Sequence, residues 1–127
     1  MNDASGRLAK KLRAVRRGRL AELFCLWHLR LRGWRILARD YRVPSGEIDL
    51  IARRGRILVA IEVKARPTAA AASEAISSHQ RRRIARATEH FLARHPHLAG
   101  LTLRFDVMLV VPGRWPRHLA NAWRTDD

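Results

Sequence analysis

The sequence predicts a single α/β domain in which a central mixed sheet is flanked by helices. Apolar residues repeat at helical spacing in two segments, and they alternate or run continuously at strand spacing in four others. The predicted order of elements is α-β-β-β-α-β. A chain of 127 residues, of which 47% are hydrophobic, is long enough for one core and too short for two.

The N-terminal part divides into a basic extension over residues 1–17 and a helix over residues 18–32. The extension is expected to be either a fraying helix or a disordered arm. The helix carries apolar residues at spacings of three and four, which are predicted to face the core: Leu20, Leu23, Phe24, Trp27 and Leu31. Gly33 is predicted to end this helix.

Three strands and a second helix are predicted to follow. The strands cover residues 34–43, 47–53 and 56–66, with Arg54 and Gly55 as a two-residue hairpin turn. Gly46 is interpreted as a turn residue with positive φ. The second helix covers 74–94, a strand covers 101–111, and residues 114–127 form a short closing strand or a turn.

Acidic side chains cluster on one face of the predicted hairpin. Because side chains alternate along a strand, Glu47, Asp49, Glu62 and Lys64 share a face, with Asp49 about 7–8 Å diagonally from Glu62. The opposite face is uniformly apolar and is predicted to be the core side: Ile48, Leu50, Ile57, Val59, Ile61 and Val63.

This cluster is a candidate site for metal-assisted hydrolysis. Carboxylates at this spacing repel one another unless a cation lies between them, and Mg²⁺ prefers oxygen ligands. Lys64 is placed to hold a water against a phosphate. The alternative is a cross-strand ion pair on a solvated face, and the pattern by itself leaves both open.

The charge of the chain indicates a polyanionic partner. Lys and Arg number 26 against 11 Asp and Glu, so the net charge is +15, and nucleic acid is the first expectation, ahead of an anionic membrane. Genomic codon bias toward Arg is the alternative explanation. A phosphate-binding rim around the carboxylates is predicted from seven residues: Arg53, Arg54, Arg66, His79, Gln80, Arg81 and Arg82.

Cysteine content and hydropathy exclude several classes of protein. Cys25 is the single cysteine, so no intramolecular disulfide and no cysteine-based zinc site can form, and it is expected to be a buried, inert thiol. No run approaches the roughly 18 apolar residues of a membrane span, and no apolar signal core precedes Gly18. We therefore expect a cytoplasmic protein without a membrane partner.

Two sets of motifs resemble known proteins. Asp49, followed thirteen residues later by Glu62-Val63-Lys64, resembles the PD-(D/E)xK nuclease signature, although Ile48 stands in place of its proline. Four blocks resemble the YraN-like family of small bacterial proteins, which are similar in fold to archaeal Holliday-junction resolvases: GRLAE at 18–22, GEIDLI at 46–51, EVKAR at 62–66 and RFD at 104–106. The resemblance implies a restriction-endonuclease-like domain over 18–127.

The resemblance also implies a role for individual residues. Asp49 and Glu62 would bind Mg²⁺ or Mn²⁺, with the Val63 carbonyl as a third ligand. Lys64 would orient the attacking water, and Glu22 would bind the metal or a water on it. The alternative for Glu22 is an acid favoured by the helix dipole, and for Glu47 a pair with a nearby Arg.

The implied activity is that of a Mg²⁺-dependent endodeoxyribonuclease. A metal-activated water would hydrolyse a phosphodiester in DNA, with branched or structured DNA as the implied substrate. His79-Gln80 stands where such families often carry Lys-Gln, so His79 would reach a phosphate only when protonated. A symmetric junction substrate would call for a homodimer. The alternative is a non-catalytic nucleic-acid-binding module in a repair, recombination or uptake complex.

Overall fold

A computed structural model describes the backbone of residues 3–72 and 76–125, and the side chains of these residues apart from 3, 12–17 and 72. The elements in chain order are α1 (Asp3–Leu31), β1 (Arg35–Val43), β2 (Gly46–Arg54), β3 (Ile57–Ala65), α2 (Ala69–Ala72), α3 (Ser78–Arg94), a 3₁₀ turn (Pro96–Leu98), β4 (Thr102–Val110) and β5 (Arg117–Trp123).

The five strands form one mixed sheet, which confirms the predicted α/β class. The strands lie in the order β1-β2-β3-β4-β5. β3 and β4 are parallel, and the other neighbouring pairs are antiparallel. α3 connects the parallel pair, as such a crossover requires. Of the two predictions for the C-terminal segment, a strand or a turn, the structure shows the strand, β5.

The helical elements begin at different residues from those predicted. α1 starts at Asp3, so the proposed boundary at residue 17 lies inside a continuous helix. The predicted second helix is represented by α3, which starts at Ser78 because the Ser77 side chain accepts a hydrogen bond from the Gln80 N–H. The predicted start at residue 74 lies outside the described residues. Gly33 has φ +85° directly after α1, as predicted.

The predicted core face of α1 is wrong. The five predicted core residues are 42–77% exposed, whereas α1 contacts the sheet through Ala21, Cys25, Leu26 and Leu29, which are at most 2% exposed. Both sets follow helical spacing, so periodicity does not distinguish them. We attribute the choice to the shorter side chains of Ala21 and Cys25, which let the helix approach the sheet closely.

Both faces of the sheet are buried, so the predicted core side is one of two packed faces. Ile51, Leu58 and Ala60 pack in a cluster with α3, while Leu50 and Val59 pack in a second cluster with α1. A sheet with a parallel pair is commonly covered by helices on both sides. The expected strict alternation also fails at Asp49, because its neighbours Ile48 and Leu50 belong to different clusters.

The hairpin turn lies one residue later than predicted. Arg54 pairs with Ile57 and Leu50 pairs with Ile61, so the two-residue turn is Gly55-Arg56, with Gly55 at φ +60°. The turn still contains two residues. Continuing the observed register past Leu50 brings Asp49 directly opposite Glu62, closer than the predicted diagonal arrangement.

Gly46 has a different role from the one predicted. It is the first residue of β2 and does not have positive φ. A Cβ built on it would lie 1.8 Å from the Arg83 carbonyl oxygen of α3. Glycine is required here because the backbone of α3 packs directly against β2.

Among the described residues, no helix combines the length and the apolar character needed to cross a bilayer.

Candidate active site

Asp49 and Glu62 form the centre of the candidate site. Their carboxyl groups share a hydrogen bond. The Val63 N–H donates to Asp49 Oδ2 at 2.8 Å. The β2–β3 ladder is regular up to Leu50 and Ile61, so this side-chain contact replaces the next main-chain pairing. The sequence therefore places two acids at the point where the two central strands stop pairing.

The two carboxyl groups have raised pKa values. Burial, the Asp49 charge and the hydrogen bond to Asp49 raise the pKa of Glu62 to about 8. Burial also raises the pKa of Asp49, although its hydrogen bonds from Val63 and Glu62 oppose the shift. At neutral pH Glu62 is therefore largely protonated and donates to the Asp49 carboxylate.

Glu22 approaches this pair from α1. Partial burial and the charges of Asp49 and Asp40 raise the pKa of Glu22, while Arg39 and Arg42 oppose the shift. The Glu22 side chain lines a surface cavity of about 480 Å³ together with Arg39 and Asp40. Glu22 is thus the member of the cluster that borders open solvent.

Lys64 and the Val63 carbonyl complete the predicted set. Lys64 lies two residues beyond Glu62 on β3 and is only 6% exposed. The N–H and C=O of one strand residue point to the same edge, so the Val63 carbonyl lies on the edge that faces Asp49. A lysine at this depth is rare unless its charge has a partner.

The donor set fits a hard divalent cation in chemistry, although the ligands are not preassembled. Among the described residues, no three His, Cys, Asp or Glu side chains are arranged as metal ligands. Asp49, Glu62 and the Val63 carbonyl nevertheless offer the oxygen donors that Mg²⁺ and Mn²⁺ prefer. A cation would have to displace the proton shared by the two carboxyl groups.

Glu47 belongs to a structural contact, which was the alternative predicted for it. Both of its carboxylate oxygens accept from Arg83 on α3, the shortest contact being 2.7 Å to Nη2. The hydrogen bond from Arg83 is the main cause that lowers the pKa of Glu47. Glu47 therefore fixes α3 against β2 and is not part of the raised-pKa cluster.

The structure separates the predicted basic rim into three groups. Arg66 lies close enough to Glu62 for its charge to lower the pKa of that carboxyl group, and His79 acts in the same way on Glu47. Arg53 and Arg54 lie four and five residues from Asp49 along β2, about 13 and 16 Å away. They belong to the hairpin end of the sheet.

The remaining three predicted rim residues lie in the first turns of α3. Gln80 and Arg82 are exposed there. Arg81 donates to the Ile76 carbonyl at 3.1 Å and lies 5.8 Å from the Trp123 ring centroid, so its guanidinium has contacts within the fold.

Two further residues are buried within the fold, and for Cys25 this confirms the prediction. Asp106 is fully buried and accepts two hydrogen bonds from Arg104, so their pairing is structural. Cys25 is completely buried, and burial, with the charges of Asp49 and Glu22, raises the pKa of its thiol to about 12.

Sequence reasoning missed two residues near functional surfaces. Asp40 is close enough to Glu22 and Asp49 to affect their pKa values, and it has φ +48° within β1. An acid that tolerates the left-handed region in mid-strand was the available signal. His118 contacts the buried Asp106, and nothing in its sequence spacing indicated this.

Comparison with known proteins shows the family of the chain. The family described as "Uncharacterised protein family UPF0102" matches residues 21–110. A UPF0102 protein of Parvibaculum lavamentivorans is 55% identical over 119 residues, covering 94% of this chain and 90% of that protein. A UPF0102 protein of Methylocella silvestris is 48% identical over 126 residues, covering 99% and 98%. The chain therefore belongs to family UPF0102, the YraN-like family.

Proposed function

We propose that this protein is a metal-dependent endonuclease that hydrolyses phosphodiester bonds in DNA. The observation that carries the proposal is the half-buried, hydrogen-bonded pair of Asp49 and Glu62, with Glu22 beside it and Lys64 on the same strand. Raised pKa values at convergent groups are typical of functional sites.

Holding two carboxyl groups together in this position costs free energy that a purely structural role does not explain. Burial opposes ionisation of both acids and raises their pKa values, and the Asp49 charge further opposes ionisation of Glu62. By contrast, two described acids with a structural role contact an arginine: Glu47 contacts Arg83, and Asp106 contacts Arg104. A divalent cation is the group that would offset the charge of the Asp49–Glu62 pair.

The residues of the site have distinct roles in this proposal. Asp49, Glu62 and the Val63 carbonyl hold the cation, and Val63 N–H keeps Asp49 in position. When bound, Mg²⁺ or Mn²⁺ would lower the pKa of a coordinated water and offset charge on the phosphate. Lys64 holds a water or a phosphate oxygen, and Glu22 accepts a hydrogen bond from water at the solvent-facing side of the site.

DNA is the substrate class that the charge favours. A net charge of +15 on a single domain attracts a polyanion. Arg66 lies near Glu62 and provides positive charge for the phosphates that flank the scissile one. Branched or structured DNA is the proposed preference, and a symmetric junction would engage two copies of the chain.

A second candidate function is a non-catalytic nucleic-acid-binding module. The observation that favours it is the hydrogen bond between Asp49 and Glu62, which closes the pair in the absence of a cation. In this alternative the protonated pair only stabilises the fold, and the basic surface binds nucleic acid without cleaving it.

Cleavage assays separate the two functions. Labelled linear, single-stranded, flapped and four-way-junction DNA would be incubated with Mg²⁺ or Mn²⁺ and with wild type, Glu62→Gln or Lys64→Ala. Glu47→Gln is the matched control, because it removes an acid of the same hairpin that lies outside the site. The endonuclease proposal expects cleavage by wild type and the control, and its loss in Glu62→Gln. Binding without cleavage by any form would favour the module.

A further inference from the structure

A second concave surface lies on the α1 side of the sheet and reaches from the hairpin end of β2 to the edge strand β5. It is a cavity of about 520 Å³ between the C-terminal end of α1, the hairpin end of β2, and β4 and β5. We call it the basic pocket, and its charged or aromatic lining residues are His28, Arg32, Trp34, Arg54, Arg104, Arg117 and His118.

The buried ring of Trp34 organises the basic pocket. The guanidinium of Arg54 lies 4.4 Å from the Trp34 ring centroid, and that of Arg104 lies 5.6 Å from it. The His118 ring contacts the same indole edge-on, with centroids 6.2 Å apart. Trp34 is only 3% exposed, so these cations are held on a fixed platform.

The lining of the basic pocket has a strong excess of positive charge. None of its lining residues is acidic. The acid behind it, Asp106, is fully buried and accepts from Arg104, from His118 Nε2 at 2.6 Å and from the Asn121 N–H. Asp106 therefore offsets about one charge, and Arg32, Arg54 and Arg117 keep theirs at the exposed mouth.

Capping of the C-terminal end of α1 explains some of the arginines in the basic pocket but not all of them. Arg32 Nη1 donates to the His28 carbonyl at 3.2 Å, and Arg54 Nη1 donates to the Arg32 carbonyl at 3.1 Å. Arginines at a helix C-terminus commonly make such bonds. Each bond uses one of the five donors of a guanidinium. Capping also does not account for Arg117, which comes from β5.

We propose that the basic pocket binds the phosphodiester backbone of a nucleic-acid strand. Clustered, preoriented guanidinium groups match phosphate oxygens in geometry and charge. Arg54 lies about 16 Å from Asp49 along β2, which corresponds to about five steps of a duplex at 3.4 Å per step. The basic pocket is therefore a second anchor for DNA. It does not depend on cleavage at the carboxyl pair.

The test measures DNA binding without catalysis. A fluorescein-labelled duplex and a single strand would be titrated with the full chain in EDTA over a series of salt concentrations. The test variant is Arg32→Gln/Arg117→Gln. The control is Arg86→Gln/Arg94→Gln, which removes the same charge from α3 on the opposite face of the sheet. Arg117→Gln is also measured alone, because Arg32 caps α1 and its loss could impair folding.

If the basic pocket binds DNA, the test variant and the control should differ in affinity and in salt dependence. The test variant should bind the duplex at least about tenfold more weakly, and its slope of log affinity against log salt should fall by about 1.8, for two lost phosphate contacts. Arg117→Gln alone should lower the slope by about 0.9, and the control should change affinity by less than about twofold. Equal losses in the test and control variants would show diffuse attraction and overturn the proposal.

A further arm distinguishes a nucleic-acid strand from a small phosphate ligand. Inorganic phosphate would be compared with chloride at matched ionic strength as a competitor of the labelled duplex. The proposal expects equal competition, because a single phosphate lacks the neighbouring contacts of a strand. Selective competition by phosphate that disappears in Arg32→Gln/Arg117→Gln would reassign the basic pocket to a small phosphate ligand and overturn the proposal.

Discussion

Replacing Glu62 by Gln should change how the stability of the protein depends on pH. In the folded protein the pKa of Glu62 is raised from 4.5 to about 8. The folded state therefore keeps a proton that the unfolded state releases above pH 4.5. The stabilisation is complete below that pH and is lost as pH rises through about 8.

The size of the change in the free energy of unfolding follows from the pH range between the unfolded and folded pKa values of Glu62. Each pH unit between 4.5 and about 8 should lower the free energy of unfolding by roughly 1.4 kcal/mol in the absence of divalent cations. Between about pH 6 and 8 the loss is therefore roughly 2 kcal/mol, because the slope flattens near the folded pKa, and this is a large part of the total stability of a typical domain. Glu62→Gln keeps a neutral side chain of the same shape, so it should lack this slope.

Urea denaturation in EDTA at several pH values measures the effect. Glu47→Gln is the matched control, because Arg83 lowers the pKa of Glu47, which stays ionised throughout the window, and because the Glu47 charge raises the pKa of Glu62 less than burial or Asp49 does. Wild type and the control should lose stability in parallel as pH rises, while Glu62→Gln should not. Parallel slopes in all three proteins would refute the assignment of a protonated Glu62.

Three further predictions concern other positions. Gly46→Ala should destabilise the protein by at least about 2 kcal/mol in urea denaturation, because the Arg83 carbonyl must recede from 1.8 Å to 3.4 Å or more; an unchanged midpoint would contradict this close approach. Asp106→Asn should cost about 3 kcal/mol near neutral pH, because it leaves buried partners without their anion, and calorimetric unfolding would detect it. Glu22→Gln should fold normally and slow single-turnover cleavage by about 10–100-fold; unchanged cleavage would remove Glu22 from the site.

The sequence was sufficient for the fold class and for the central acids. Alternation and apolar runs located the strands, because burial selects side chains directly. A two-residue turn put Asp49 and Glu62 on neighbouring strands, even though the turn itself lies at Gly55-Arg56. The predicted turn was wrong by one residue. The turn still contains two residues, so Asp49 and Glu62 remain neighbours across the two strands.

The packing of α1 could not be predicted in the same way. Two sets of apolar residues on this helix follow helical spacing, and the sheet contacts Ala21 and Cys25 while Phe24 and Trp27 stay exposed. Local periodicity carries no information about which face a distant sheet will meet. For the same reason the α3 backbone above Gly46 and the contact between His118 and Asp106 required the three-dimensional structure.

Cation binding at neutral pH is the most direct test of the proposed metal site. Mn²⁺ would be titrated calorimetrically into wild type, Glu62→Gln and Glu47→Gln, in two buffers with different enthalpies of protonation. Wild type and Glu47→Gln should bind about one ion and release about one proton, because Glu62 is protonated before the ion enters. Glu62→Gln should bind much more weakly and release no such proton. Equal binding by all three proteins, or no binding by wild type, would contradict the assignment of the Asp49–Glu62 pair as a metal site.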